Sequence, residues 1–376
     1  MKILTIGIGE CGGRIADEFE RLNKRARSMR GVEIVTGTFA LDTDTAALSE
    51  LSSLKADYKR RILVGVRENR GQGKVSINEI GAAIAKKEGD KLLNEVRLVK
   101  RFQETDAILV AASGAGGTGS GAMPVIIRNL KEKYQDKAVY GLVVFPFEHE
   151  IQAEARLVLN TASCLKSSYT VADAIFIIDN QEYVQRDSSL IHDLGRLNQF
   201  IIEPFYNLLR AGEEKKTRYI GSKLMDAGDI METIKGWTVL GHGQSPLSLT
   251  SQMIKSLNFK KKGAETDVGI KVMEEAFSNL SVKCNPSDAA TALFLLSAPA
   301  REITMNLLEY LGNYMKNVAT NAIIRSGDYP VEKGLISIDV ILSQLGDVEK
   351  VREIYGAAVN VPGEVTSGES NSDDEI

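Results

Sequence analysis

The first half of the chain alternates short apolar runs with longer stretches whose apolar positions recur every three or four residues. Ile3–Ile8 is an apolar run closed by glycine, and Arg14–Met29 carries a helical period. The run Glu33–Leu41 follows and ends in the acidic turn Asp42-Thr43-Asp44. Further strand-like runs are Arg61–Val66, Ala107–Ala112, Ala138–Phe145 and Ala174–Ile178, most of them separated by helical patterns. Strands that alternate with helices predict a parallel sheet in an α/β unit. Ligands of such sheets bind at the carboxyl ends of the strands, where the glycine-rich turns of this chain fall.

From about Val184 to Gly212 the pattern predicts one long helical stretch, with a kink or break at Pro204. Helices near Met225–Lys235 and Gly269–Leu280, a strand at Ala292–Ser297, a helix at Arg301–Ile324 and a strand at Gly334–Leu342 come next. Without regular alternation, these elements predict a smaller α+β domain. The final GEVTSGESNSDDEI holds five carboxylates and no Lys or Arg, a disordered composition. The expected division is an α/β domain over 1–183, a long core helix and connection over 184–222, a C-terminal α+β domain over 223–360 and a disordered acidic tail over 361–376. No internal repeat is evident.

Composition narrows the function classes. At 376 residues and 43% hydrophobic content, the chain can bury a core without disulfide or metal staples. Lys+Arg is 46 against Asp+Glu 50, so no basic excess points to nucleic acid. Cys11, Cys164 and Cys284 are odd in number and far apart, which fits a reducing cytoplasm. His149, His192 and His242 are equally scattered, and no metal site is assigned. The N-terminal MKILTIGIGECGG meets glycine too early for a signal peptide. No apolar run is long enough to span a membrane.

The sharpest chemical feature is Gly114-Ala115-Gly116-Gly117-Thr118-Gly119-Ser120-Gly121, between the strand AILVAAS and the helical stretch MPVIIRNLKEKY. Glycines let successive backbone N–H groups close on an anion at a helix N-terminus, where the helix dipole also favours negative charge. The alternative is a close-packed turn without a ligand. The lysine of a Walker A loop is absent. A second glycine loop, Gly7-Ile8-Gly9-Glu10-Cys11-Gly12-Gly13, follows the first strand. Alone it matches a dinucleotide fingerprint, with Asp42 as a late ribose acid, and would suit an NAD-type oxidoreductase. Two phosphate loops on one sheet suit a mononucleotide polyphosphate better.

These residues together resemble the tubulin/FtsZ superfamily: GECGG after the first strand, ALDTDTAAL after the second, GAGGTGSG after the fourth, and IIDN ahead of LNQFI. GAGGTGSG stands where that family has its signature, G-G-G-T-G-[ST]-G. Within the superfamily, GQGKVSINEIGAAIAKKE, VYGLVVFPFEHE, LNTAS and LMDAGDIMETI resemble the archaeal CetZ group more than bacterial FtsZ. The implied fold is a Rossmann-like parallel-sheet GTPase domain, a long central helix and a smaller α+β domain. The implied activity is GTP hydrolysis by a cytoskeletal protein that polymerises head-to-tail with itself, with GTP/GDP and Mg²⁺ as cofactors. Family analogy favours cell shape over division.

The resemblance also assigns residues. Gly9, Glu10, Cys11, Gly12 and Gly13 would face the phosphates, with Arg14 reaching toward the base. Asp42 and Asp44 would lie near the γ-phosphate and any cation. Gly114, Ala115, Gly116, Gly117, Thr118 and Gly119 would hold the phosphates, with Gly73 of the loop Gly71–Val75 joining them and Lys74 as a charge for the γ-phosphate. Glu150 would contact the ribose, with Glu154 as a rival. Asn180 and Asn198 would select guanine, although Asn180 could instead cap the following helix. Asp226 and Asp229 would enter the next subunit's pocket and polarise the attacking water. Their structural alternative is a capping box of Asp229 with Glu232, leaving a GTP-binding scaffold without turnover. The tail lacks the apolar peptide that ends many FtsZ chains, leaving membrane or regulatory adaptors unidentified.

Overall fold

The computed structural model describes residues 1–66, 75–247, 258–332 and 334–361, with only the backbone of 258–266. Gly73, Lys74 and nearly all of the acidic tail lie outside the described residues. The first half runs β1 (Ile3–Ile8), α1 (Gly9–Arg30), β2 (Val35–Asp42), α2 (Thr45–Ser49), β3 (Arg61–Leu63), α3 (Asn78–Glu88), α4 (Asp90–Arg97), β4 (Ala107–Ser113), α5 (Gly117–Lys133), β5 (Ala138–Phe145), α6 (Glu148–Ala153), α7 (Arg156–Tyr169) and β6 (Ala174–Asp179). The second half runs α8 (Asn180–Arg186), α9 (Leu194–Ala211), α10 (Ala227–Thr233), β7 (Gly236–Pro246), α11 (Asn258–Ser278), β8 (Ala289–Ala298), α12 (Met305–Val318), β9 (Ile323–Pro330), β10 (Leu335–Leu345) and α13 (Glu349–Val359).

All ten strands form one sheet in the order β3-β2-β1-β4-β5-β6-β7-β10-β8-β9. From β3 to β6 every pairing is parallel. A short parallel contact from Ala174↔Gly236 to Phe176↔Thr238 joins this half to the rest, where β10 runs antiparallel to both β7 and β8. Both faces are covered. Along β4, Ile108, Val110 and Ala112 enter one core while Ala107, Leu109 and Ala111 enter the other. Burial on both faces explains why these strands read as continuous apolar runs. The connections diverge between β1 and β4, and that switch point opens a crevice at the strands' carboxyl ends.

Several elements differ from the sequence reading. Helix α1 begins at Gly9 rather than Arg14, because its glycines form a helical turn pressed onto the sheet. A Cβ added to Gly12 would lie 2.1 Å from the carbonyl oxygen of Ala111. The long stretch 184–212 divides between α8 and α9 at Asp187–Asp193, not at Pro204. Asp187 accepts from the Ser189 N–H, and Asp193 accepts from the Arg196 N–H at 2.9 Å and caps α9. Pro204 stays inside α9, where it deprives only the carbonyl of Phe200 of its partner.

Strands β7 and β9 were hidden by their glycines. Gly241 and Gly243 mark where α11 crosses β7, since added Cβ atoms would lie 2.4 Å from the Ala276 oxygen and 2.1 Å from the Val272 oxygen. Helix α12 stops at Val318, and the β-branched pair Ile323–Ile324 opens β9 instead of extending it. Arg30, the last residue of α1, bonds to Glu214 at 2.9 Å and to the Tyr329 hydroxyl at 2.5 Å, tying the first half to β9.

Helices α3 and α5 touch backbone to backbone: a Cβ on Gly121 would sit 1.9 Å from the Asn78 carbonyl oxygen. Gly121→Ala should therefore destabilise the chain by about 1–3 kcal/mol in urea unfolding. Gly312→Ala in α12, where an added Cβ meets nothing within 4 Å among the described residues, should stabilise it by about 1 kcal/mol.

Candidate functional site

The glycine loop after β4 divides into two kinds of position. Gly117 and Gly121 serve packing, with added Cβ atoms 2.4 Å from the Val75 oxygen and 1.9 Å from the Asn78 oxygen. Gly114 is hemmed in by Thr161, at 2.9 Å. Gly116 differs: among the described residues an added Cβ there meets nothing within 4 Å. It occupies the N-cap position of α5 with no side-chain cap, so the first-turn N–H groups face the crevice free to receive an anion. Gly9, at φ 73, brings the first glycine loop against this turn, where its Cβ would lie 3.4 Å from the Gly119 nitrogen. Thr118 and Thr43 link their hydroxyls at 2.9 Å, fastening the turn after β2 to the same cradle.

Charge around the cradle is held tightly. Asp42 is 5% exposed, and its Oδ1 accepts from the N–H groups of Thr43 at 2.7 Å and Asp44 at 3.3 Å. Burial nonetheless pushes its carboxyl up to about 6, with Asp44 and Glu10 adding to the rise. Asp44 caps α2 by accepting from the Ala46 N–H at 2.8 Å. Arg14 bonds to both Glu10 and Glu50 at 2.9 Å. The Cys11 thiol, in the first turn of α1, is pushed up to about 12, by burial first and by Glu10 second, which disfavours the thiolate a nucleophile needs.

On the opposite wall, Asn180 does not cap α8. The cap is Asp179, whose Oδ1 accepts from the Gln181 N–H at 2.9 Å, so the capping alternative for Asn180 falls. The Asn180 Oδ1 is buried without a hydrogen-bond partner among the described residues. Asn198 on α9 is 9% exposed, and its amide makes no hydrogen bond among the described residues. Leaving a buried polar atom unsatisfied costs about 1–3 kcal/mol, so the Asn180 oxygen is poised for a ligand that offers a donor, with the Asn198 amide beside it on the crevice wall. Glu150 accepts from the Phe147 N–H at 2.8 Å while Glu154 ends α6.

The crevice has a volume of ≈ 580 Å³ and brings together Gly9, Glu10, Cys11, Arg14, Asp42, Asp44, Ala115, Gly116, Gly117, Thr118, Gly119, Glu150, Glu154, Asn180 and Asn198. Gly12, Gly13 and Gly114 lie behind its wall. Sequence reasoning missed the apolar lining from Val75, Leu157, Leu194 and Leu197. It also missed Asn160 of α7, which is fully buried. Its Nδ2 donates to the carbonyls of Ala115 at 2.7 Å and Ser76 at 2.8 Å, tying the cradle to the segment beside α3. The available signal was an amide at a core position of a helical pattern.

Residues 2–186 match the Tubulin/FtsZ family GTPase domain, and residues 187–360 match the C-terminal domain of tubulin-like CetZ. The chain belongs to the tubulin/FtsZ superfamily. Tubulin-like protein CetZ3 of Haloferax volcanii is 27% identical over 99% of this chain and 95% of its own length. Two solved structures from the same organism share the fold at 24% identity. CetZ2, a GTPγS-bound protofilament, superposes with a TM-score of 0.81 over 97% of this chain and 98% of that one. CetZ1, a GDP-bound monomer, gives 0.80 over 96% and 99%.

In this tubulin-like frame Asp226 and Asp229 lie outside the crevice that their own chain forms. The proposed capping box does not exist. Asp226 is the cap of α10, accepting from the Asp229 N–H at 2.8 Å, and Glu232 is drawn away to Arg325. The Asp229 carboxylate is thereby released from any capping duty.

Burial raises the Asp42 carboxyl above its unfolded value, so its ionisation opposes folding. That opposition is absent at low pH and complete once pH has risen through about 6. Between pH 5 and 7.5 the nucleotide-free chain should lose about 1–2 kcal/mol that Asp42→Asn retains, readable as a difference in urea midpoints.

Proposed function

We propose that this chain binds GTP in the crevice, polymerises head-to-tail into protofilaments, and hydrolyses GTP where one subunit meets the next. The observation that carries the reading is the separation of Asp226 and Asp229 from their own chain's crevice. A contact that places them over a neighbour's crevice is heterologous, and repeating it builds a filament.

The first-turn N–H groups of α5 and the open face of Gly116 suit the phosphates, and the unpaired amides of Asn180 and Asn198 suit the guanine edge. Glu150 or Glu154 suits the ribose hydroxyls. Among the described residues no three His, Cys, Asp or Glu side chains converge as a metal cluster. Mg²⁺ needs only one or two carboxylates beside phosphate oxygens, and Asp42 with its neighbour Asp44 fits that demand. When bound there, the cation would neutralise charge on the β- and γ-phosphates. The chain's own contribution is positioning: the cradle fixes the phosphates, and the neighbour's Asp229 orients the water for in-line attack. Superfamily membership sets aside the dinucleotide oxidoreductase. By analogy with the family, the filament serves cell shape in an archaeal cytoplasm.

Phosphate release per molecule should rise from near zero above a threshold protein concentration, whereas a flat rate would place a complete site in each subunit. Asp229→Asn should lower turnover on the order of 10²-fold with GTP affinity retained in calorimetry. Unchanged turnover in that variant would leave a binding scaffold.

A further inference from the structure

The acidic segment 221–232 does not float on the surface: it lies along β9, the edge strand of the sheet. Asp328 accepts from the Ser222 N–H at 2.9 Å and from the Ser222 hydroxyl at 3.0 Å, while its own N–H donates to the Lys223 carbonyl at 3.1 Å. A Cβ on Gly221 would lie 2.1 Å from the Asp328 oxygen, so segment and strand are in backbone contact. One turn further on, Arg325 of the same strand reaches the acids of α10. Its Nε lies 3.4 Å from the Asp229 Oδ1, and its Nη2 bonds to Glu232. The Arg325 side chain is 23% exposed, against 45% for Asp229 and 67% for Glu232. The cation is thus the sheltered member and the acids point outward.

This arrangement answers a difficulty in the reading above, on which the inference rests. Asp226, Asp229 and Glu232 present three carboxylates within one short helix, and a polyphosphate site repels them. We infer that Arg325 is the positioning residue of this acidic finger. It engages one oxygen of Asp229, leaves the other toward the neighbouring subunit, and offsets part of the charge carried into the phosphate site. Glu232 bonds to Nη2 on the same edge of the guanidinium, so one cation is shared between two acids of the helix. Arg325 itself need not touch the nucleotide.

The test measures phosphate release per polymerised subunit, after pelleting, for the full chain with Arg325→Ala, Arg325→Gln or Arg325→Lys, and with Asp229→Asn as control. The Ala and Gln variants should turn over about tenfold more slowly, with GTP affinity unchanged and polymer still formed. Lys should recover most of the rate, because it restores the charge. A merely structural ion pair would shift the assembly threshold and leave turnover per polymerised subunit alone, and that result overturns the inference. Normal turnover in Asp229→Asn would instead remove the reading beneath it. Should Arg325→Ala not polymerise alone, it can be co-assembled with the unmodified chain. Turnover falling in step with its fraction supports the role, and turnover independent of that fraction refutes it.

Discussion

The structure depends on backbone contact at its glycine loops. Around the switch point between β1 and β4, chain segments approach so closely that a methyl group has no room. A Cβ on Gly7 would lie 2.1 Å from the Gly12 oxygen, and one on Gly81 would lie 2.3 Å from the Gly117 oxygen. The first contact seats the opening turn of α1 against β1 and the second seats that of α5 against α3, while a Cβ on Gly9 would lie 3.4 Å from the Gly119 nitrogen, so both helix N-termini line one crevice. Anion binding at paired helix N-termini then follows from dipole and hydrogen-bonding geometry. Among the described residues, Gly116 alone in its loop is left with open space, on the side where a phosphate would sit.

The second constraint is mechanical. Helix α9 contributes Asn198 to the crevice wall and leads through Glu214 toward the acidic segment. Glu214 is bonded to Arg30 of α1, and the Tyr329 hydroxyl of β9 donates to Glu214. Asp328 of β9 in turn holds Ser222 and Lys223 at the start of that segment, and Arg325 holds Asp229 and Glu232 of α10. The crevice and the acids therefore belong to one bonded frame, although they serve different subunits in the proposed filament. Such a frame can register two sites across an interface without a flexible linker between them.

The parallel sheet was legible because its strands are buried on both faces, which turns β1, β4, β5 and β6 into uninterrupted apolar runs. The crevice was legible because glycine at a strand-to-helix junction has few other uses. What escaped was whatever tertiary contact decides. Strands β7 and β9 carry glycines demanded by a crossing helix and by the acidic segment, and these glycines mimic loops. The division between α8 and α9 rests on aspartate caps, and Pro204 attracted attention that belonged to Asp187 and Asp193. Asn160 looked like one more helical residue until its amide was found bridging two carbonyls. Arg325 could not be placed beside Asp229 from sequence, because nearly a hundred residues of intervening fold set their distance.

The central claim is that each hydrolysis site is shared between two subunits, and complementation tests it most directly. Asp229→Asn keeps the crevice and loses the acid. Gly116→Val keeps the acid and fills the cradle, at an extended backbone position (φ −69, ψ 142) that a β-branched residue accepts. Each variant alone should be nearly inactive. Mixed, they should recover GTP turnover, because contacts that pair an intact crevice with an intact neighbouring acid form again. A mixture that co-assembles yet stays as inactive as its components would contradict the shared site.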